Sequence, residues 1–311
     1  MTKNKILVTG GAGFIGSAMV EKLSQDPNNE IVVVDNLLTG NLDKLPKADN
    51  ITFIRASVNE NKEIKDVFYA HRFDYVFHYA AVVGVQRTLN NPVSVLNDIH
   101  GIENILRLAK NTSVKHIFYA SSSEVYGEPV EFPQNELTTP LNSRLPYAIV
   151  KNVGEAYLKS YYQEFGLPYT IFRFFNTYGP KQSKDFVISK FISLALKNED
   201  ITIYGDGLQS RTFCFVEDNV QACYNAYKLK KFENDVVNIG SNIETNVLEL
   251  AKIIIRLTNS SSKIVHLPPL KEGDMTRRQP DNRKMIELLG RPPISLEEGL
   301  SRILQNTSFI L

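Results

Sequence analysis

Along the first half of the chain, short continuous apolar runs alternate with longer stretches of helical period. Ile6-Leu7-Val8, Ile31-Val32-Val33-Val34, Ile51-Thr52-Phe53-Ile54, Tyr75-Val76-Phe77, His116-Ile117-Phe118-Tyr119-Ala120 and Tyr169-Thr170-Ile171-Phe172-Arg173 read as strands buried on both faces of a parallel sheet. Between them, residues 62–71, 92–110 and 147–165 place apolar side chains at helical spacing, with Val93, Leu96, Ile99, Ile102, Ile105, Leu106 and Leu108 as the clearest stripe. Pro92 suits a first helical turn. This alternation predicts an α/β fold with a doubly wound parallel sheet, whose ligands bind outside the carboxyl ends of the strands. Beyond Phe175 the rhythm loosens into a turn at 176–180, a helix over 185–197, a short strand and turn over 201–207, and helices over 247–257 and 296–304.

The first apolar run passes directly into Thr9-Gly10-Gly11-Ala12-Gly13-Phe14-Ile15-Gly16. Gly11, Gly13 and Gly16 fit G-x-G-x-x-G, in which the first glycine makes a tight turn, the second admits a pyrophosphate, and the third lets helix pack on strand. The helix that begins with Phe14 and Ile15 offers free N–H groups to phosphates. The second strand ends in Asp35, followed by Asn36, roughly 20 residues past the glycines, where a carboxylate accepts ribose hydroxyls and repels a 2′-phosphate. NAD is therefore expected in preference to NADP. Ala80 and Ala81, after the fourth strand, are small enough for a cofactor to come close. Residues 1–175 are expected to form a Rossmann-type NAD-binding domain. Residues 176–311 are expected to form a smaller mixed α/β substrate-binding lobe closing over the sheet edge, with some segments returning to the first domain.

The fifth strand delivers Ser121-Ser122-Ser123-Glu124 to the carboxyl edge, and Tyr147 and Lys151 follow at i and i+4 on one helix face. An ammonium so placed favours the phenolate, and a serine hydroxyl adds a second hydrogen bond to a substrate alcohol. These groups can remove an alcohol proton while NAD accepts the hydride. A Y-x-x-x-K spacing alone is common. It gains meaning here from the dinucleotide turn and the serine-rich strand end.

With these residues in place, the whole chain resembles the extended short-chain dehydrogenase/reductase family, in particular its nucleotide-sugar epimerases, dehydratases and decarboxylases. The resemblance rests on Gly10, Gly13 and Gly16, His78-Tyr79-Ala80-Ala81, Asn97 in Asn97-Asp98-Ile99-His100-Gly101, the set Ser122, Tyr147 and Lys151, Asn176-Thr177-Tyr178-Gly179-Pro180, and Gly205-Asp206-Gly207-Leu208-Gln209-Ser210-Arg211. It implies that Tyr147 is the base, that Lys151 binds ribose and tunes it, and that Ser122 orients a sugar hydroxyl. It further implies that Ser123, Asn176, Arg211 and Arg278 hold a nucleoside-diphosphate sugar, most simply a UDP-sugar, arginine's planar fork suiting phosphate oxygens. A homodimer through the helices from Pro92 and Tyr147 is implied as well. Ser57 stands where relatives usually place an Asp near the adenine.

The family first oxidises a sugar hydroxyl, most often at C4, and recycles the bound NAD. Glu124 occupies the place where dehydratases and uronate decarboxylases carry a Glu, and Gln209-Ser210-Arg211-Thr212 and Arg277-Arg278-Gln279-Pro280-Asp281 are similar to the decarboxylases. Ala80-Ala81-Val82-Val83-Gly84-Val85 is more similar to epimerases. A UDP-glucuronate decarboxylase type of reaction leads narrowly over a 4-epimerase, with a 4,6-dehydratase third. A non-catalytic NAD-sensing module is the reading outside this class, disfavoured by the intact Ser122, Tyr147 and Lys151.

A formal charge of +1 over 311 residues gives no reason to expect nucleic acid or a membrane surface. No leader is expected before the first strand, and no apolar run approaches the ~20 residues of a membrane span, so a cytoplasmic enzyme is expected. Cys214 and Cys223 lack metal-site or redox spacing and read as packed, reduced thiols. His78 reads as structural beside the cofactor, the remaining histidines have no ligand spacing, no metal is expected, and Lys228, Lys230 and Lys231 read as a solvated helix end.

Overall fold

The computed structural model describes residues 3–268 and 278–308. In chain order its elements are β1 (Asn4–Thr9), α1 (Phe14–Ser24), β2 (Asn29–Asp35), β3 (Ile51–Arg55), α2 (Asn61–His71), β4 (Tyr75–His78), α3 (Val85–Asn90), α4 (Pro92–Leu96), α5 (Asp98–Asn111), β5 (His116–Ser122), α6 (Pro146–Phe165) and β6 (Tyr169–Phe174). There follow β7 (Thr177–Tyr178), α7 (Val187–Leu196), β8 (Ile201–Tyr204), β9 (Ser210–Thr212), β10 (Cys214–Phe215), α8 (Val216–Leu229), β11 (Asp235–Ile239), β12 (Glu244–Asn246), α9 (Val247–Thr258), β13 (Ile264–Leu267), α10 (Arg283–Leu289) and α11 (Leu296–Leu304).

A seven-stranded sheet has the order β11-β6-β5-β4-β1-β2-β3. Its registered pairs from β3 to β6 are parallel. The reversal of strand order at β1 and β4 makes the sheet doubly wound and opens a crevice at the carboxyl ends of these strands. The strand runs are apolar because both faces are covered: Ile6, Leu7, Val8, Ile31, Val33 and Val34 are fully buried. Helix α5 presents Ile102, Ile105, Leu106, Leu108 and Ala109 to this core, and α6 adds Val150 and Leu158.

The chain divides into two compact units. The first comprises residues 1–127, 141–174 and 220–237, and contains strands β1 to β6 and the start of β11. The second comprises residues 128–140, 175–219 and 238–311, and its own core joins α7, α9 and α11 through Phe191, Ile192, Leu250, Ile254, Leu300 and Ile303. Among the described residues no helix is long and apolar enough to cross a membrane, and no group of His, Cys, Asp and Glu is arranged to hold a metal ion.

The helix expected over 92–110 is interrupted. The turn tightens at Asn97, whose N–H reaches the carbonyls of both Val93 and Val95, so α4 ends there and α5 starts at Asp98. The fifth strand runs two residues further than its apolar run, through Ser121 and Ser122, because each pairs in register with β6 at Arg173 and Phe174.

Candidate active site

The glycine turn joins β1 to α1. Gly10, not Gly11, makes the tight turn: its φ is +67°, and a Cβ there would lie 2.6 Å from the backbone nitrogen of Ala80. Gly11 is instead fixed by packing, since a Cβ would meet Val33 at 2.7 Å. The spacing that matters is therefore Gly10, Gly13 and Gly16, because a Cβ on Gly16 would lie 2.2 Å from the Gly10 carbonyl oxygen. Gly13 caps α1 without a side-chain hydrogen bond, leaving the start of the helix, at Phe14 and Ile15, without a side-chain competitor for an anion.

Asp35 ends β2 almost completely buried. Its carboxylate accepts from Ala12 N at 3.0 Å and from Leu37 N at 2.8 Å, tying the glycine turn to the loop that begins with Asn36. Across β1, Thr9 Oγ1 accepts from Ala80 N at 3.3 Å and pairs with His78 Nδ1 at 2.8 Å. Burial, aided by Lys151, pushes the His78 imidazole down to about 3, so it is neutral and acts as a structural strut. A left-handed Gly10, an uncapped helix start, small residues at Ala80 and Ala81, and a carboxylate at the end of β2 together fit a dinucleotide.

At the end of β5 the backbone enters a 3-10 turn over residues 123–126. Ser122 caps it, its Oγ accepting from Glu124 N at 3.2 Å, which fixes Glu124 one short turn from the serine. Ser122 and Ser123 are buried and Glu124 is half-buried. Pro146 opens α6, so that Tyr147 stands in its first turn and Lys151 one turn later. The Lys151 ammonium donates to Ala120 O at 2.6 Å and lies 5.8 Å from the Tyr147 ring centroid and 5.1 Å from that of Tyr119. Burial lowers Lys151 to about 8, while the charge of Asp98 opposes that fall. The two effects leave a lysine that is cationic at neutral pH yet close to titration.

Three groups here were not singled out from sequence. Asp98 accepts from Val82 N at 2.7 Å and Asn59 Nδ2 at 3.2 Å, holding the loop after β4, and burial raises its own pKa. Glu155 and Arg173 form a buried ion pair at 2.6 Å. Arg173 was visible as a lone charge in an otherwise apolar strand, and Glu155 as an acid one turn beyond Lys151 on the same helix face.

The substrate-binding candidates Asn176, Arg211 and Arg278 lie in the second unit. Asn176 Nδ2 donates to Thr212 O at 3.3 Å, Arg211 sits in β9 and donates to Ser210 O at 2.8 Å, and Arg278 is 6% exposed. Arg277 lies outside the described residues. Cys214 and Cys223 are both buried thiols outside any disulfide, with burial raising the Cys223 thiol well above its ordinary value. Lys228, expected to be simply solvated, pairs with Asp26 at 2.8 Å.

Known proteins resemble this chain over nearly its whole length. The family model described as "NAD dependent epimerase/dehydratase family" matches residues 6–240. A UDP-N-acetyl-alpha-D-glucosaminuronate decarboxylase of Bacillus cytotoxicus is 37% identical, the match covering 97% of each chain. The crystal structure of a UDP-glucose 4-epimerase with UDP-glucose from Thermotoga maritima superposes with a TM-score of 0.91 at 36% identity, covering 97% of each chain. That of a Thermus thermophilus UDP-glucose 4-epimerase in complex with NAD has a TM-score of 0.89 at 29% identity, covering 97% of this chain and 98% of the other.

Proposed function

We propose, from the premise that this chain belongs to the NAD dependent epimerase/dehydratase family, that it decarboxylates a UDP-uronate through a 4-keto sugar. It is an NAD-dependent enzyme of nucleotide-sugar chemistry. The observation that carries the finer reading is Glu124, held by its backbone to the Ser122 hydroxyl at the sheet's carboxyl edge. The similarity to the Bacillus cytotoxicus decarboxylase over nearly the whole of both chains supports it.

Gly10, Gly13, Phe14, Ile15, Gly16, Asp35, Asn36, Ala80, Ala81 and Lys151 would hold NAD, which supplies a two-electron acceptor at C4 and later the donor. Tyr147 takes the O4 proton as C4 is oxidised, Ser122 bonds O4, and Lys151 favours the phenolate. The resulting ketone stands β to the C6 carboxylate. The C5–C6 bond then breaks with loss of carbon dioxide, its electron pair passes into the ketone as an enolate, and C5 takes a proton. Glu124 is the residue assigned to that proton. Tyr147 returns its proton to O4 when C4 is reduced. Ser123, Asn176, Arg211 and Arg278 are assigned to the nucleoside diphosphate sugar, with residues 1–175 binding NAD and 176–311 contributing the substrate lobe, apart from segments such as 220–237 that return to the first unit.

A 4-epimerase is the second reading, favoured by the loop from Ala80 and by the Thermotoga maritima structure. It needs no acid or base beyond Tyr147. We also place the enzyme in the cytoplasm, where thiols such as those of Cys214 and Cys223 stay reduced. We assign it a homodimer through α4, α5 and α6, of which α4 exposes the apolar Val93 and Leu96 and α6 exposes Ile149, Tyr162 and Phe165.

The test is mass spectrometry of products from UDP-uronates and from UDP-, dTDP- and GDP-sugars, with NMR where mass is unchanged. Loss of carbon dioxide is expected, and Glu124→Gln should slow it about a hundredfold or more. An unchanged mass with inverted C4 would replace this reading with epimerisation.

A further inference from the structure

The segment from Ser121 to Tyr126 carries Ser122, Ser123 and Glu124 out of the sheet, and both of its ends reach the same buried ion pair. At the first end, Ser121 Oγ donates to Glu155 Oε1 at 2.6 Å. At the far end, Arg173 Nη1 donates to Tyr126 Oη at 2.9 Å, with the guanidinium 4.8 Å from the tyrosine ring centroid. Between them, Arg173 Nε and Nη2 grip the two Glu155 oxygens at 2.9 and 2.6 Å. Ser121, Tyr126, Glu155 and Arg173 are each at most 3% exposed.

Each member comes from a different place in the chain. Ser121 is the penultimate residue of β5, Tyr126 ends the 3-10 turn, Arg173 lies opposite Ser121 in the β5–β6 register, and Glu155 stands one turn after Lys151 on α6. The forked guanidinium explains why arginine is used, since only a planar donor array meets a carboxylate with two bonds and still has a third N–H for Tyr126. A charged pair is costly to bury compared with an apolar contact of the same shape. What the charges add is direction: each bond fixes a backbone segment at one distance and one angle. Beyond Tyr126, Gly127 turns at φ +62° against Asn142, so the segment has little slack to take up a lost tether.

We infer that the Arg173–Glu155 pair is a positioning device that ties both ends of the Ser122–Glu124 segment to the helix carrying Tyr147 and Lys151. It touches no substrate itself. Its consequence is that the serine hydroxyl, the carboxylate and the phenol keep one mutual geometry through proton transfers at neighbouring carbons. This kinetic consequence rests on the proposed reading of the site; the tether itself does not.

The experiment removes the tethers while keeping shape, with Ser121→Ala, Tyr126→Phe and the double variant in the full chain, and Ser121→Thr as the conservative control. Hydrogen exchange needs no substrate: amides over 122–127 should exchange faster in the double variant while those over 150–160 keep their protection. With whichever sugar nucleotide the wild type turns over, kcat should fall about tenfold to a hundredfold, KM and NAD affinity should stay within about twofold, and Ser121→Thr should recover most of the Ser121→Ala loss. Unchanged exchange over 122–127 would overturn the tether. Faster exchange with unchanged kcat, or a kcat loss that merely follows a fall in Tm, would overturn the positioning role. Were the wild type to turn over no sugar nucleotide, the proposed reaction would fail, and the tether would stand or fall on exchange alone.

Discussion

The two ends of β5 bury polar side chains in nearly equal measure and do opposite things with them. At the amino end, His116 Nε2 pairs with Thr170 Oγ1 at 2.9 Å, and that hydroxyl donates onward to Phe232 O at 3.0 Å. His116 packs against Phe118 with ring centroids 4.4 Å apart and the rings tilted by 31°, and burial lowers its imidazole to about 4. Its Nε2 and the threonine hydroxyl thus satisfy one another inside the fold, while Nδ1 lies 3.9 Å from the exposed Glu233 carboxylate. At the carboxyl end, Ser122 Oγ accepts from a backbone N–H, and Lys151 is drawn to a carbonyl and toward the face of Tyr147. Hydrogen-bonding capacity is left over there. Along one strand, then, buried polar groups serve structure at one end and the proposed chemistry at the other, and the difference is whether buried groups such as the Ser122 hydroxyl keep donors to spare for a ligand. The same logic places ligands at the carboxyl ends of parallel sheets.

The contrast can be broken most directly at the chemical end. Tyr147→Phe should cut turnover by about 10²–10⁴-fold while NAD affinity, measured by titration calorimetry, is unchanged. Full activity in that variant would remove the phenol from the chemistry and make both ends of β5 structural.

A smaller effect is expected from charge. The alkaline limb of the pH–rate profile should fall near the Lys151 value of about 8, because the cationic form is the one that favours the phenolate. Asp98 opposes the burial effect at Lys151, so Asp98→Asn should move that limb to lower pH. A limb that stays put or moves upward would detach Asp98 from the lysine.

The smallest effect is expected at the amino end, and in stability rather than rate. The His116 pKa is depressed on folding, from an ordinary 6.5 to about 4. The unfolded chain therefore binds a proton across that window and the folded chain does not. Stability should be lost as pH falls from about 6.5 toward 4, with His78 adding a change of the same sign that extends lower. Urea denaturation across this range should show a shallower pH slope for His116→Gln than for the wild type. An identical slope would mean that His116 does not titrate between the two states.

Much of the arrangement was legible in local sequence, for reasons that differ from element to element. Strands such as Ile31–Val34 announce themselves because both faces are buried, so every position must be apolar. The turn glycines and the Tyr147–Lys151 spacing follow from rules that span fewer than ten residues, backbone φ in one case and helical period in the other. Even there, the choice between Gly10 and Gly11 as the turn glycine needed the approach of Ala80, a residue from the loop after β4. The break at Asn97 stayed hidden because the apolar stripe runs through it unchanged.

By itself, the sequence determined the α/β class, the glycine turn and the residue types able to bind a dinucleotide and move a proton, since these depend on local backbone geometry and side-chain chemistry. Tertiary structure alone decided that residues 128–140 join the second unit and 220–237 the first. It alone decided that Asp98 holds the loop at Val82, and that Glu155 and Arg173 meet beneath the segment bearing Ser122 and Glu124. The physical reason is that a buried charge is stable only against its partner, and nothing local in a chain says which distant residue that partner will be.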